Sequence, residues 1–266
     1  MKYPTILLFS GLVALSACNE KSEKSKWLPD VTNEDHGPLK QKEFSGNFDE
    51  IEVSQAIEAE VIKSDVEKVV ISAPANIIDE VLVDNSGGEL HIHYKTGFRV
   101  MNTNNVKAKI YAKDFSKLEA NSAAIIVVRD QFTQDKTDVE ISSAGHISGK
   151  LEANDMEIDA GSSGTFKGNV WAVNLNIEAS SAGEVTISGK SKNANLTSSS
   201  GSSISAKEVI VENLKADASS GASVEVSASS TVEGSASSGG SVNVYKKGNV
   251  TTVKKEESSG GSVSIQ

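Results

Sequence analysis

One short phrase recurs along the second half of this 266-residue chain, and it limits the possible folds more than any other feature. It reads apolar-x-apolar-x-small-Ser-Ser-(Ala)-Gly, followed closely by Val-x-Val or Val-x-Ile. Copies begin at Ser142, Ser162, Ser180, Ser199, Ser219, Ser237 and Ser258, and a variant, Asn121-Ser122-Ala123-Ala124, precedes them. The intervals are 21, 20, 18, 19, 20, 18 and 21 residues. A near-constant period of this length marks a solenoid, in which each repeat is one coil.

Within each repeat the side chains alternate. Leu175, Ile177 and Ala179 are apolar, while Asn174, Asn176 and Glu178 between them are polar. The same two-residue period runs through Ala194/Leu196/Ser198, Leu214/Ala216/Ala218 and Val232/Gly234/Ala236, and beyond the glycine through Val185/Ile187, Val224/Val226, Val242/Val244 and Val263/Ile265. That is the period of strands, not helices. The pattern predicts at least two short strands per coil around a Ser-Ser-Gly corner, where Gly accepts positive φ and small residues allow stacking at the strand spacing of ~4.8 Å. Serine hydroxyls are expected to bond between coils. A single coil buries too few modest side chains to offset ~1–2 kcal/mol of backbone ordering per residue, so stacking must supply the core. Inward Ile177, Leu196 and Val224 are therefore expected to be far less tolerant of change than outward Asn176, Thr197 and Glu225.

The stretch from Phe44 to Lys113 is strand-like but less regular, with pairs such as Ile51/Val53, Ala59/Val61 and Leu90/Ile92. It reads as the capping part of the solenoid, residues 44–117, ahead of the coils in 118–266. Asn85-Ser86-Gly87-Gly88 reads as a hairpin or a coil corner. One helical turn fits around residues 76–80, and little other helix is expected.

The N-terminus carries a separate signal. Met1-Lys2 is a short basic head, and the apolar run from Ile6 to Leu15 is too short to span a membrane as a mature helix. The run ends in Leu15-Ser16-Ala17-Cys18, which resembles the lipobox of bacterial lipoproteins. Residues 1–18 are thus read as a lipoprotein signal peptide, with Cys18 as the lipidated residue. Cys18 is the only cysteine, so no intrachain disulfide can form and a thioether to lipid is its most economical use. The charged segment 19–43 reads as a flexible tether. Trp27-Leu28 within it reads equally as a docking pair and as an exposed pair. The expected placement is export with a lipid anchor at the cell envelope, at the outer membrane.

Charge narrows the partners. Asp plus Glu number 36 against 26 Lys plus Arg, for a net charge of −10, and the only arginines are Arg99 and Arg129. Phosphate backbones would be repelled, so nucleic acid is set aside.

The opening phrase from Phe48 through Ile51, Val53 and Ile57 to Ala59, the Val69-Val70-Ile71-Ser72 stretch, Leu118-Glu119-Ala120-Asn121-Ser122-Ala123-Ala124 and the Ser-Ser-Gly coils together resemble the head GIN domain family. That family is described as autotransporter adhesin heads and is common in lipoproteins of Bacteroidetes-like bacteria. The resemblance covers residues 44–266 and implies a single-stranded right-handed β-helix, an all-β fold here with coils of about 18–21 residues. It brings no catalytic residues and no cofactor.

Chemistry elsewhere is sparse. His91-x-His93 puts two imidazoles on one strand face, a spacing that suits a metal, but no third ligand is evident, and His36 and His146 lie apart. The serines recur in every coil without a Gly-x-Ser-x-Gly elbow, which fits architecture rather than nucleophilic catalysis. From Val139 onward the aspartates are Asp155, Asp159 and Asp217, with no arginine, and Phe166, Trp171 and Tyr245 are widely spaced. Two readings follow: a non-enzymatic structural or adhesive envelope module, or a carbohydrate-binding or glycan-active β-helix protein. Long insertions between coils would favour the second, and the sequence has none.

Overall fold

The computed structural model describes residues 30–32, 37–100 and 106–266. These form a β-solenoid of mainly parallel coils, and the one helical segment among the described residues is a 3₁₀ turn at Ile78–Glu80. That turn falls within the predicted segment 76–80. No helix among the described residues is long and apolar enough to cross a membrane.

Each coil is closed by a four-residue corner. Ser142-Ser143-Ala144-Gly145 is representative: Ser143 and Ala144 have φ of 50° and 61°, and the Gly145 N–H donates to the Ser142 carbonyl at 2.8 Å. Positive φ at both central residues with this bond defines a type I′ turn. Corners at Ser162-Ser163 and Ser181-Ala182 likewise hold two non-glycine residues at positive φ, which costs about 1–2 kcal/mol per residue. From Ser200 onward a glycine takes the second position, as at Gly201, Gly221, Gly239 and Gly260.

Gly145, Gly164 and Gly183 come one place later and do not have positive φ. They permit close approach instead: a Cβ on Gly183 would lie 2.1 Å from the Ala160 carbonyl oxygen. The predicted role of glycine therefore holds for the later corners, while the earlier ones need it for space. The corners also stack differently from the expected hydroxyl ladder. Backbone bonds join them, from Ala144 N–H to Ser162 O at 3.0 Å and from Ser163 N–H to Ser181 O at 3.0 Å, continuing from Gly201 to Ser220 and from Gly221 to Ser238. Small side chains matter because they let these backbones meet.

Between corners runs one continuous strand instead of two: His146–Ala160, Thr165–Ala179, Glu184–Ser198, Ser203–Ala218 and Ser223–Ala236. The expected pieces merge because the alternation slips in phase without breaking the ladder. In Thr165–Ala179 the inward residues are Phe166, Val170, Ala172, Leu175, Ile177 and Ala179, with slips around Gly168-Asn169 and Val173-Asn174. Each slip bends the strand, so a coil has three sides around one core. Register is unbroken on both sides of Thr165–Ala179, with Ile177 opposite Ile158 on one side and Leu196 on the other, and it shifts at bulges in the later coils, as between Thr186 and Ser188.

The capping part departs from chain order. The coil formed by Glu50–Val53 and Glu58–Lys63 lies between Glu89–Tyr94 with Lys107–Ala112 on one side and Lys117–Ala120 with Ile125–Val128 on the other. The chain thus lays down one coil, builds another beneath it, and then passes over to continue upward. Antiparallel strands close the lower end: Val81–Ser86 pairs with Glu89–Tyr94 through a Gly87-Gly88 hairpin, and Lys68–Pro74 pairs with Lys107–Ala112. Leu39–Ser45 pairs outermost on Lys68–Pro74. This strand occupies the last part of the segment read as a tether. Its side chains are mostly exposed and include Lys40 and Lys42, the composition of an edge strand that resists further pairing and that hydropathy alone does not separate from a linker.

Candidate functional site

In-register coils turn any residue at a fixed offset from the corner into a column along the solenoid. Asp155, Asn174, Asn193, Asn213 and Thr231 form one such column, linked by side-chain hydrogen bonds. Asn174 Nδ2 donates to Asp155 Oδ1 at 2.7 Å, Asn193 Nδ2 to Asn174 Oδ1 at 2.8 Å, and Asn213 Nδ2 to Asn193 Oδ1 at 3.0 Å. Thr231 Oγ1 closes the series on Asn213 Oδ1 at 3.0 Å. A second column two residues along contains Glu157, Asn176 and Asn195, joined at 3.4 and 3.0 Å.

Between the columns lies an open groove of about 580 Å³, floored by Met156, Leu175, Ala194, Leu214 and Val232. The floor residues are the inward members of the strands and only 2–5% exposed, so their side chains belong to the core and the accessible side chains of the groove are those of its walls. Lys136 stands at one end and Lys254 near the other. Sequence reading passed over these asparagines. Their signal was present: Asn174, Asn193 and Asn213 each stand six residues before a corner, at Ser180, Ser199 and Ser219.

The next outward column is acidic. Glu52, Glu119, Glu140, Asp159 and Glu178 are paired position by position across adjacent coils. Lys117 bridges Glu119 at 3.2 Å and Glu140 at 3.0 Å, and Asn121 donates to Glu52 at 2.8 Å. Asp159 has a buried Oδ1 with no hydrogen-bond partner. Desolvation, and then Glu157, Glu178, Glu140 and Asp138, push its carboxyl up to about 6.

In the unfolded chain an aspartate titrates near ~3.9. Between those values the folded protein holds a proton that the unfolded chain has released, so stability is full at low pH and declines as pH rises through about 6. Asp159→Asn is expected to stabilise the protein at pH 7.5 by roughly 1–2 kcal/mol after allowing for solvent screening at a part-exposed site, read as a higher melting point, and to give no gain at pH 4. Thermal melts of both proteins across that range check it, and a gain that is equal at both pH values contradicts it.

The remaining sequence candidates are scattered. His91 and His93 stack on each other with ring centroids 4.2 Å apart instead of converging. His91 Nε2 lies 3.0 Å from Ser54 Oγ, while His93 uses Nε2 on Asp84 and Nδ1 on the Tyr94 carbonyl. Among the described residues no group of three His, Cys, Asp or Glu is placed to hold a metal. His146 stands directly after a corner, its imidazole held below the usual range by burial and by Lys167. Asp217 sits in the acidic column between Thr197 and Ser235.

The aromatic residues divide. Phe166 is in the core, Tyr245 lies under the Lys207 ammonium at 4.4 Å, and Trp171 is 45% exposed beside a depression that shares Lys136 with the groove. Cys18 and His36 lie outside the described residues.

A regular solenoid of this register has counterparts among known proteins. The family described as "Putative auto-transporter adhesin, head GIN domain" matches residues 47–248. The chain belongs to this head GIN domain family. Among solved structures, an adhesin-type protein from Parabacteroides distasonis ATCC 8503 is similar over 87% of this chain and 98% of its own, at 18% identity and a TM-score of 0.76. Another from Parabacteroides merdae ATCC 43184 covers 86% and 97%, at 16% identity and 0.74. A third, from Parabacteroides distasonis, is titled a "Putative lipid binding protein" and covers 86% and 97%, at 18% identity and 0.69. At these identities the likeness is one of fold. No curated protein matches the head GIN chain in sequence.

Proposed function

We propose that this head GIN protein is a non-enzymatic, adhesin-like module of the cell envelope, lipid-anchored through Cys18 at the outer membrane and presenting its solenoid on the segment that follows. The observation that carries this reading is the long stack of outward columns before the corners, in which amides and carboxylates recur coil after coil. Such a surface suits attachment to an extended partner. Catalysis instead needs unlike groups converging on one reacting atom. The carboxylates here run as a line along the coil stack, with Asp159 flanked by like charges. Membership of a family described as adhesin heads, and three neighbours of the same fold, two of them titled adhesins, support the reading.

A single acyl chain anchors only marginally, so the lipid on Cys18 would have to be multiple for firm attachment. Cys18→Ala is expected to move the protein from the membrane fraction to the soluble fraction, and mass spectrometry of the wild type should find the N-terminal cysteine acylated. Unchanged membrane association of the variant would refute the anchor. Protease treatment of intact cells then reports whether the solenoid faces outward, and attachment of wild-type and deletion strains to glycan-coated surfaces tests the adhesive role.

A further inference from the structure

The groove runs between two columns whose facing positions, Asn174 and Asn193 on one wall and Asn176 and Asn195 on the other, are uncharged in a protein of net charge −10, with Lys215 next after Asn195. Its walls repeat at the coil spacing. The amides are also held in one orientation. Asn174 and Asn193 each donate one Nδ2 hydrogen to the preceding coil and accept on Oδ1 from the following one. An amide has two donor hydrogens and two acceptor sites, so each keeps one donor and one acceptor free. The column therefore presents a preordered row of donor–acceptor pairs about 4.8 Å apart. Little side-chain freedom is left to lose on binding.

We propose that this groove binds an uncharged, extended oligosaccharide lying along the solenoid axis, a site that deepens the adhesive reading above and rests on it. A hydroxyl is both donor and acceptor, which matches what each asparagine leaves free. Successive rings of an extended chain advance by an interval close to the coil spacing, so hydroxyls of consecutive rings meet consecutive asparagines. The exposed indole of Trp171, in the depression that continues past Lys136, supplies a stacking surface beyond that end.

Charge and solvation select against two other occupants. The lining lysines Lys136, Lys215 and Lys254 are balanced by Asp155, Glu157 and Glu233, so the groove offers an anionic polymer no net attraction within a protein of net charge −10. An acyl chain would find the apolar side chains buried beneath the strands and would strip water from the free amide groups without replacing their hydrogen bonds.

The test uses the full mature chain. A glycan array of neutral and acidic oligosaccharides is screened first. Calorimetric titration follows with chitohexaose, cellohexaose, the strongest array ligand, polygalacturonate and palmitate. The expected result is binding of a neutral oligosaccharide that strengthens from dimer to hexamer. Affinity should fall at least tenfold in the double variant Asn193→Ala/Asn195→Ala, which removes both walls at one coil, and severalfold in Trp171→Ala.

Asn243→Ala, on another side of the coil, should leave binding unchanged, and circular dichroism melts of each variant verify folding. Binding of palmitate alone, binding of acidic glycans alone, no binding to any neutral glycan, or neutral binding that survives the double variant would each overturn the proposal. If groove variants lose no cell attachment while Cys18→Ala does, the groove assignment fails and the envelope role stands. If purified protein binds glycans but cells with and without it attach equally, the reverse holds.

Discussion

Replacing Ile177 by aspartate is expected to destabilise the protein by about 4 kcal/mol or more and to lower its melting point by roughly 10 °C or beyond. Ile177 is fully buried, and its register places it between Ile158 and Leu196. A carboxylate there has no cation and no hydrogen-bond donor within the core, and both neighbouring coils lose their packing partner. Because a solenoid coil depends on its neighbours, the damage extends beyond one repeat. Asn176 donates to Glu157, so Asn176→Asp would set one carboxylate against another and is not a neutral control. Lys190, exposed on a different side, serves better: Lys190→Asp should change stability by less than about 0.5 kcal/mol. Thermal unfolding followed by far-UV circular dichroism compares the two, and equal midpoints would refute the assignment of inward and outward faces.

Gly189→Ala should have the next largest effect, about 3 kcal/mol or more. Gly189 has φ +126°, which L side chains rarely adopt, and a Cβ there would lie 1.9 Å from the Val170 carbonyl oxygen. The obstacle is backbone held in the parallel ladder between Thr165–Ala179 and Glu184–Ser198, so no rotamer change relieves it. Gly201→Ala separates the contributions. Gly201 also has positive φ, at +71°, but a Cβ there meets nothing within 4 Å, so only backbone strain of about 1–2 kcal/mol is added. A lower midpoint for Gly189→Ala reflects the Val170 clash together with its less favourable φ, and identical midpoints would mean that the approach to Val170 relaxes freely.

The sequence by itself determined the repeat, the strand period and the inward residues. Leu175/Ile177/Ala179, Ala194/Leu196/Ser198 and Val224/Val226 all face the core, because a two-residue period and a nearly constant coil length leave one way to bury them together. Family membership was legible from the same residues.

What only the tertiary structure decided are the relations between coils. The coil at residues 50–63 sits between later segments because Ile51 and Val53 pack as well beneath Leu118 and Ala120 as above Leu90 and Ile92, and local pattern does not rank those neighbours. The merging of two expected strands into one depends on phase slips that keep the ladder intact. The backbone ladder at the corners depends on a carbonyl and an N–H roughly one coil apart. The amide columns, the groove between them and the acidic row arise because residues about 19 apart become neighbours only once register is set. Outward residues carry no periodic hydropathy signal, so only stacking turned Asn174, Asn193 and Asn213 into a wall and Glu140, Asp159 and Glu178 into one field of like charge.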